Sequence, residues 1–310
     1  MRAAWPRART LIAASPYRQR FRQGASLSPR RFFLAELVAV GRLQSRREAP
    51  RVRGRISSLD DRRWTPVEPP EGPVEREFIR RIALGESIAP YRILNLATGV
   101  IPMNAGAILT ATTAETNGYR NLAGWLRDTE EKWNAHSSRN AEGGPRVSLA
   151  QAVNHMQKLT AQAQGRPIRI LYAKAGTRLS ACWIEDEEVI IDTKAYWSTA
   201  NSLEEAAYVS GVINAQLVLD RVKDLQPIGQ RDPRDFDNLV WTLPIPEYDP
   251  NEALHADIAT AALHAAEIAA QVSLPEQAHF TKKRRLIRRA LEADGVAATI
   301  ERLVDALLPL

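Results

Sequence analysis

The residues of this chain best suited to chemistry are hydrogen-bond donors and cations rather than nucleophiles or metal ligands. In the stretch DLQPIGQRDPRDFDN (Asp224 to Asn238), Pro227, Gly229 and Pro233 break regular structure, while Gln226, Gln230, Arg231 and Arg234 offer several donors each. Such a loop can carry function. Asp232, Asp235 and Asp237 keep it from being simply basic, which leaves open a surface turn whose arginines pair internally. A second concentration lies at the start of the chain. Residues 1–63 hold 16 arginines, among them Arg18, Arg20, Arg22 and Arg30, against four acids, so this segment carries +12 of charge and the remainder −6. Arginines neutralise phosphates and release counterions, so a polyanion is the natural partner of this segment; a solvated arm that binds nothing specific is the alternative.

Catalytic constellations are not legible. The single cysteine, Cys182, excludes an intrachain disulfide, and its setting in LSACWIE predicts a buried, inert thiol. The five histidines are scattered without carboxylate or cysteine partners at ligand spacing, and neither a Gly-x-Ser-x-Gly elbow nor a phosphate loop occurs. No apolar run is long enough for a transmembrane helix, and there is no signal-peptide core, so a cytoplasmic protein is expected. Residues 1–35 contain many arginines and no acid, which is also the composition of a mitochondrial transit peptide.

The elements that would position these donors follow from periodicity. Ser202, with Glu205 three residues on, predicts a capping box opening a helix on which Leu203, Ala206, Ser210, Ile213 and Leu217 recur at helical spacing. Before it, Ile168–Ala173, Leu179–Glu185 and Glu188–Asp192 read as three strands of an antiparallel meander. Further upstream, Arg31–Val40 reads as a strand, 42–73 as a linker or extended arm, and Val74–Ile82 as a short helix. An amphipathic helix over Gly118–Ala135 carries Leu122, Trp125, Leu126 and Trp133, and a Ser148/Gln151 capping box opens another helix to about Ala163. After LPIPEYDP the chain reads as helical to its end. Asp249, Pro250 and Glu252 form a start signal, Leu254, Ile258, Ala261, Ala265, Ile268 and Val272 a seam, and Ser273 with Glu276 a second start. The run KKRRLIRR (Lys282 to Arg289) on that second helix reads as a solvated or phosphate-facing side rather than a localisation signal.

In order along the chain, IDTKAYW, NSLEEAAYVSGVIN, QPIGQRDPRDF and LPIPEYDP resemble the C-terminal target-recognition region of large adenine-specific DNA methyltransferases, including fused restriction-modification enzymes. The resemblance extends through SPYRQRFRQGASLSPR (Ser15 to Arg30), VEREFIRRIALGESIAPYR (Val74 to Arg92), VIPMN (Val100 to Asn104) and YAKAGTRLSA (Tyr172 to Ala181), and so covers most of the chain. It implies double-stranded DNA as a partner. Arg18, Arg20, Arg22, Gln23 and Arg30 would then position the duplex, while Gln226, Gly229, Gln230, Arg231 and Arg234 would face it and read base edges. It also implies that the chain from Ser15 onward belongs to the working protein rather than to a transit peptide.

A methylase core needs a glycine-rich loop for the methyl donor and an Asp/Asn/Ser-Pro-Pro-aromatic motif for the extruded adenine. Neither is found; the Pro-Pro pair here is Glu68-Pro69-Pro70-Glu71, and Ala97-Thr98-Gly99 lacks a second glycine. The expectation is therefore a mixed α and β target-recognition-type domain with a small antiparallel sheet and helices, followed by a C-terminal helical region. Its divisions are 1–73 (arginine-rich segment and linker), 74–249 (recognition domain) and 250–310 (helices). No cofactor is expected in this chain, S-adenosylmethionine being bound only through a methylase catalytic domain or subunit acting as a partner. A structural or inhibitory partner of a methylase or nuclease, and an inactive truncated remnant, stay open.

Overall fold

A computed structural model describes residues 14–39, 48–163, 167–226 and 235–309. Its architecture is mixed α and β, with several small, mostly antiparallel sheets leading into a C-terminal helical region. The central sheet has the order β1 (Arg22–Gln23), β14 (Ala195–Thr199), β11 (Arg169–Ala173), β12 (Ala181–Ile184), with every neighbouring pair antiparallel. A second sheet orders β13 (Ile190–Ile191), β5 (Ile79–Ala83) and β8 (Ala97–Val100), the first pair parallel. A third joins β2 (Ala35–Leu37), β3 (Arg51–Gly54) and β4 (Glu71–Pro73). Two hairpins, β6 (Ile88–Ala89) with β7 (Arg92–Ile93) and β9 (Met103–Asn104) with β10 (Ala107–Ile108), complete the strands among the described residues. Residues 14–39 are woven into this frame, since β1 closes one edge of the central sheet, the helical turn α1 (Tyr17–Arg20) buries Tyr17 against Trp241, and the turn α2 (Arg30–Phe33) packs against β3 and β8.

Two more helical stretches, α3 (Ala111–Thr116) and α4 (Arg120–His136), follow, and α4 buries Leu122, Trp125, Leu126 and Trp133 on one face as its spacing predicts. The Ser148/Gln151 box forms in full at the start of α5 (Leu149–Val153). At α6 (Leu203–Asn214) half of the expected box forms: the Ser202 hydroxyl accepts the Glu205 N–H at 3.1 Å. The Glu205 carboxylate does not reach back to Ser202 but binds the Asn201 N–H at 2.6 Å and the Arg20 guanidinium at 2.7 Å. From Glu205 to Ile213 every residue of α6 is buried, because the sheet lies on one side and α8 (Ala253–Gln271) on the other. Gly211 permits that closeness: a Cβ there would meet Ile258 Cγ2 at 3.1 Å and Ala262 Cβ at 3.2 Å. Helices α9 (Phe280–Asp294) and α10 (Val296–Leu307), joined through left-handed Gly295, close the layer.

Several elements depart from expectation, each for a tertiary reason. Arg31–Val40 opens as α2 and becomes strand only over Ala35–Leu37, because the guanidinium of Arg31 turns inward to Asp60 and the Val67 carbonyl. From residue 48, the supposed linker is ordered: Val52, Trp64 and Val67 are buried, and Trp64 stacks on Trp133 at 5.4 Å. Val74–Ile82 is not a helix but a 3-10 turn running into β5, whose Ile79 and Ile82 are paired in a sheet. The helix expected to reach Ala163 stops at Val153, where the Asn154 side chain binds the Thr160 N–H and Met156 and Gln157 take positive φ. The meander is incomplete. Its third strand, β13, leaves to pair with β5, and β14 takes the place beside β11. The central helix breaks at extended Ala215, just after Asn214 bonds both backbone groups of Ala181, and resumes as α7 (Gln216–Val222). At α8 no side chain caps; Asp249 instead donates its N–H to His255 Nδ1, and the buried stripe is rotated to Ile258, Ala259, Ala262, Ala265 and Ala269. Helix α9 starts at Phe280 rather than after Ser273, the Glu276 carbonyl being taken by Lys283 Nζ.

Candidate nucleic-acid interface

The arginines and the glutamine read as DNA-facing near the N-terminus fall into two groups. Arg18 and Arg22 are exposed, and Arg22 lines a polar cleft of about 840 Å³ with Gly106, Asn154, Gln157 and Thr160. Arg20, Gln23 and Arg30 are engaged inside the protein. Arg20 bridges Glu205 and Glu247 at 2.7 and 2.9 Å, donates to the Thr199 carbonyl, and lies 4.9 Å above the Tyr17 ring. Burial works against its charge, but the hydrogen bond and charge of Glu205 override it, so its guanidinium is held above the ordinary value. The side chain of Gln23 donates to the Thr193 carbonyl and accepts from Lys158 Nζ. Arg30 faces Asp192 at 3.5 Å, and its side chain is 12% exposed. Burial pushes the Asp192 carboxyl up, with Arg30 and the Lys194 N–H opposing.

Of the predicted reading loop, one named residue lies among the described residues. Gln226 sits half-buried at the end of the turn after α7, while Gly229, Gln230, Arg231 and Arg234 lie outside the described residues. What is visible is the place to which the segment returns. Asp235 pairs with Ala175, and the Phe236 N–H donates to the Lys174 carbonyl at 2.7 Å with its ring fully buried. Asp237 has positive φ and is held on three sides: Lys174 Nζ at 3.1 Å and the Tyr196 hydroxyl at 3.2 Å bind its carboxylate, and the Tyr172 hydroxyl binds its carbonyl at 2.6 Å. Trp241 Nε1 donates to the same Tyr172 hydroxyl at 3.2 Å. Burial pushes the Tyr196 phenol up to about 12, so this network stays protonated and donating at neutral pH.

Sequence reasoning ranked the N-terminal arginines above a cluster that only the fold assembles. The turn Ala175–Arg178, between β11 and β12, faces α9 across an open cleft of about 720 Å³. The same turn receives Asp235, whereas Arg22 lies on β1, at the opposite edge of the central sheet from β12. The signal available in the sequence was the run KKRRLIRR, whose partners could not be read.

No family model matches the chain, and no curated protein matches it. Among solved structures it is similar to the type IIL restriction-modification enzyme MmeI, solved in complex with DNA, with a TM-score of 0.48 and 13% identity, over 75% of this chain and 28% of that one. It is also similar to the type IIG restriction endonuclease BpuSI, with a TM-score of 0.35 and 13% identity, over 76% of this chain and 27% of that one. The chain thus spans a little over a quarter of the length of either enzyme.

Among the described residues, no group of three or more His, Cys, Asp or Glu is arranged to hold a metal ion, and no helix is long and apolar enough to cross a membrane. Cys182 is fully buried on β12, and burial pushes its thiol up to about 12, as befits a packing residue.

Proposed function

We propose that this chain is a DNA target-recognition module of an adenine-specific methylation or restriction-modification system. It would work with a methylase catalytic domain or subunit, which would bind S-adenosylmethionine and transfer the methyl group. The observation that carries the reading is the locked return of the 227–234 segment, where Asp235, Phe236 and Asp237 are fixed by Ala175, Lys174, Tyr172 and Tyr196. A side chain discriminates between base edges more strongly when its backbone is held still, because ordering it on binding would offset part of the energy it gains. Arg231 and Arg234, which come just before this fixed point in the sequence, carry the guanidinium fork that can donate two hydrogen bonds to one guanine edge, a contact worth about 1–3 kcal/mol of discrimination.

The test is enrichment of bound duplexes from a random-sequence pool by the purified chain. The expected result is one preferred motif, with relaxed preference at one position in Arg231→Ala or Arg234→Ala. A bound pool no different from the input would remove the reading.

A further inference from the structure

We infer that the cleft between α9 and the Ala175–Arg178 turn is a binding site for the phosphodiester backbone of duplex DNA. The inference rests on the reading of the chain as a DNA-binding module and assigns to it a phosphate-contacting surface distinct from the N-terminal arginines.

The cleft is lined by Arg178, Lys282, Arg284, Arg285, Arg288 and Arg289, with Glu292 as its one carboxylate. Two of these cations form its floor. Arg284, 6% exposed, donates to the carbonyls of Ile88 at 2.8 Å and Gly85 at 2.6 Å, and Arg288 donates to the Leu179 carbonyl at 2.7 Å and Ser180 Oγ at 2.8 Å. Carbonyls and hydroxyls satisfy the donors but leave the charge. Burial pulls both guanidiniums down to about 10, and for Arg288 the like charges of Arg178 and Arg284 add to the pull. Both therefore remain cationic at neutral pH with no carboxylate in ion-pair contact: Arg284 lies 4.8 Å from the Phe280 ring, and only the more distant charges of Glu86 and Glu292 oppose the pull on Arg284 and half-buried Arg288. Buried cations are ordinarily paired with carboxylates. Here an anion entering the cleft would supply the missing partner.

The rim has the same bias. Arg178, Lys282, Arg285 and Arg289 are exposed, and no side-chain hydrogen bond or ion pair to a described residue holds any of them. Arg51, Arg53, Arg63 and Arg127, by contrast, each have a carboxylate partner. On α9 the residues Lys282, Arg285 and Arg289 follow one another at i, i+3 and i+7, one face of the helix, over about 10 Å of axis. A row of that length exceeds a single phosphate group, so it matches consecutive phosphates of one strand better than it matches one small anion. Ala175 belongs both to the cleft wall and to the pairing that receives Asp235, so a strand held here would pass close to Asp235.

The experiment is equilibrium binding of the full chain to a mixed-sequence duplex by fluorescence anisotropy across a salt series. The variant Lys282→Gln/Arg285→Gln/Arg289→Gln changes only exposed side chains. It should flatten the slope of log K against log salt by about 2–3 and weaken binding at low salt by about tenfold or more. Arg178→Gln, on a separate element, should flatten it by about one. The equal-charge control Arg127→Gln/Arg146→Gln/Arg302→Gln, also exposed, should leave the slope near that of wild type. The inference is overturned if wild type binds with a steep slope and the α9 variant matches it, or if the control loses as much as the α9 variant. Absence of any salt-dependent binding by wild type would instead remove the DNA-binding reading itself.

Discussion

Arg20 offers a sharp test of which arginines serve the fold and which are the ones proposed to face DNA, because its geometry is complete without a nucleic acid. The perturbation is Arg20→Gln. Glu205, whose side chain is 4% exposed, would lose the guanidinium at 2.7 Å and keep only neutral donors, the Asn201 N–H at 2.6 Å and the Tyr17 hydroxyl at 3.3 Å. Breaking a buried pair costs about 3–5 kcal/mol. Arg20 itself is 25% exposed and two donors to Glu205 survive, which brings that contribution to about 2–3 kcal/mol. The contact over the Tyr17 ring adds about 0.5–1 kcal/mol, and the solvent-exposed pair with Glu247 adds little. With a urea dependence of about 2–3 kcal/mol per molar, the midpoint of unfolding should fall by about 1 M. The salt slope of DNA binding, measured where both proteins are folded, should not change. Arg18→Gln, whose side chain is exposed, should show the reverse if the N-terminal segment meets phosphate: an unchanged midpoint and a slope flatter by about one. A midpoint for Arg20→Gln within about 0.2 M of wild type would refute the assignment of Arg20 to the fold.

Two further expectations follow from local geometry. Gly211→Val should cost about 1–3 kcal/mol in urea unfolding because α8 backs directly onto that position, whereas Gly211→Ala should stay within about 1 kcal/mol, its gain in helix propensity offsetting the shift it forces; a Val variant as stable as wild type would mean that α6 and α8 do not approach as closely as described. Hydrogen bonds from Arg51 and Arg53 hold the Glu71 carboxyl below its ordinary 4.5, so its contribution to stability is present above pH 4.5 and lost as pH falls through the lowered value; Glu71→Gln should therefore lose less stability over that acid range than wild type, and parallel pH profiles of the two unfolding midpoints would contradict the pairing.

What the sequence determined by itself was whatever is held by neighbours in the chain. The Ser148 and Ser202 caps and the stop at Gly295 depend on contacts within about a turn of helix, and the face α4 buries is marked by its own apolar spacing, so residue type and spacing sufficed to find them. The general class, small antiparallel sheets followed by helices, was legible for the same reason. Strand partners were not. Ile190–Ile191 could join the meander or leave for β5, and Val74–Ile82 could coil or pair, since the choice turns on backbone groups far away in the chain. The fate of each arginine was decided in the same non-local way. Arg20 and Arg285 have one chemistry, but the former meets Glu247, 227 residues on, while α9 packing turns Arg284 and Arg288 inward and leaves Arg285 and Arg289 facing open space. The sequence could count positive charges and suggest a polyanion. Only the tertiary structure could separate the cations already neutralised by the fold from those left for a partner, because a charge is available for binding only when no carboxylate has been folded against it.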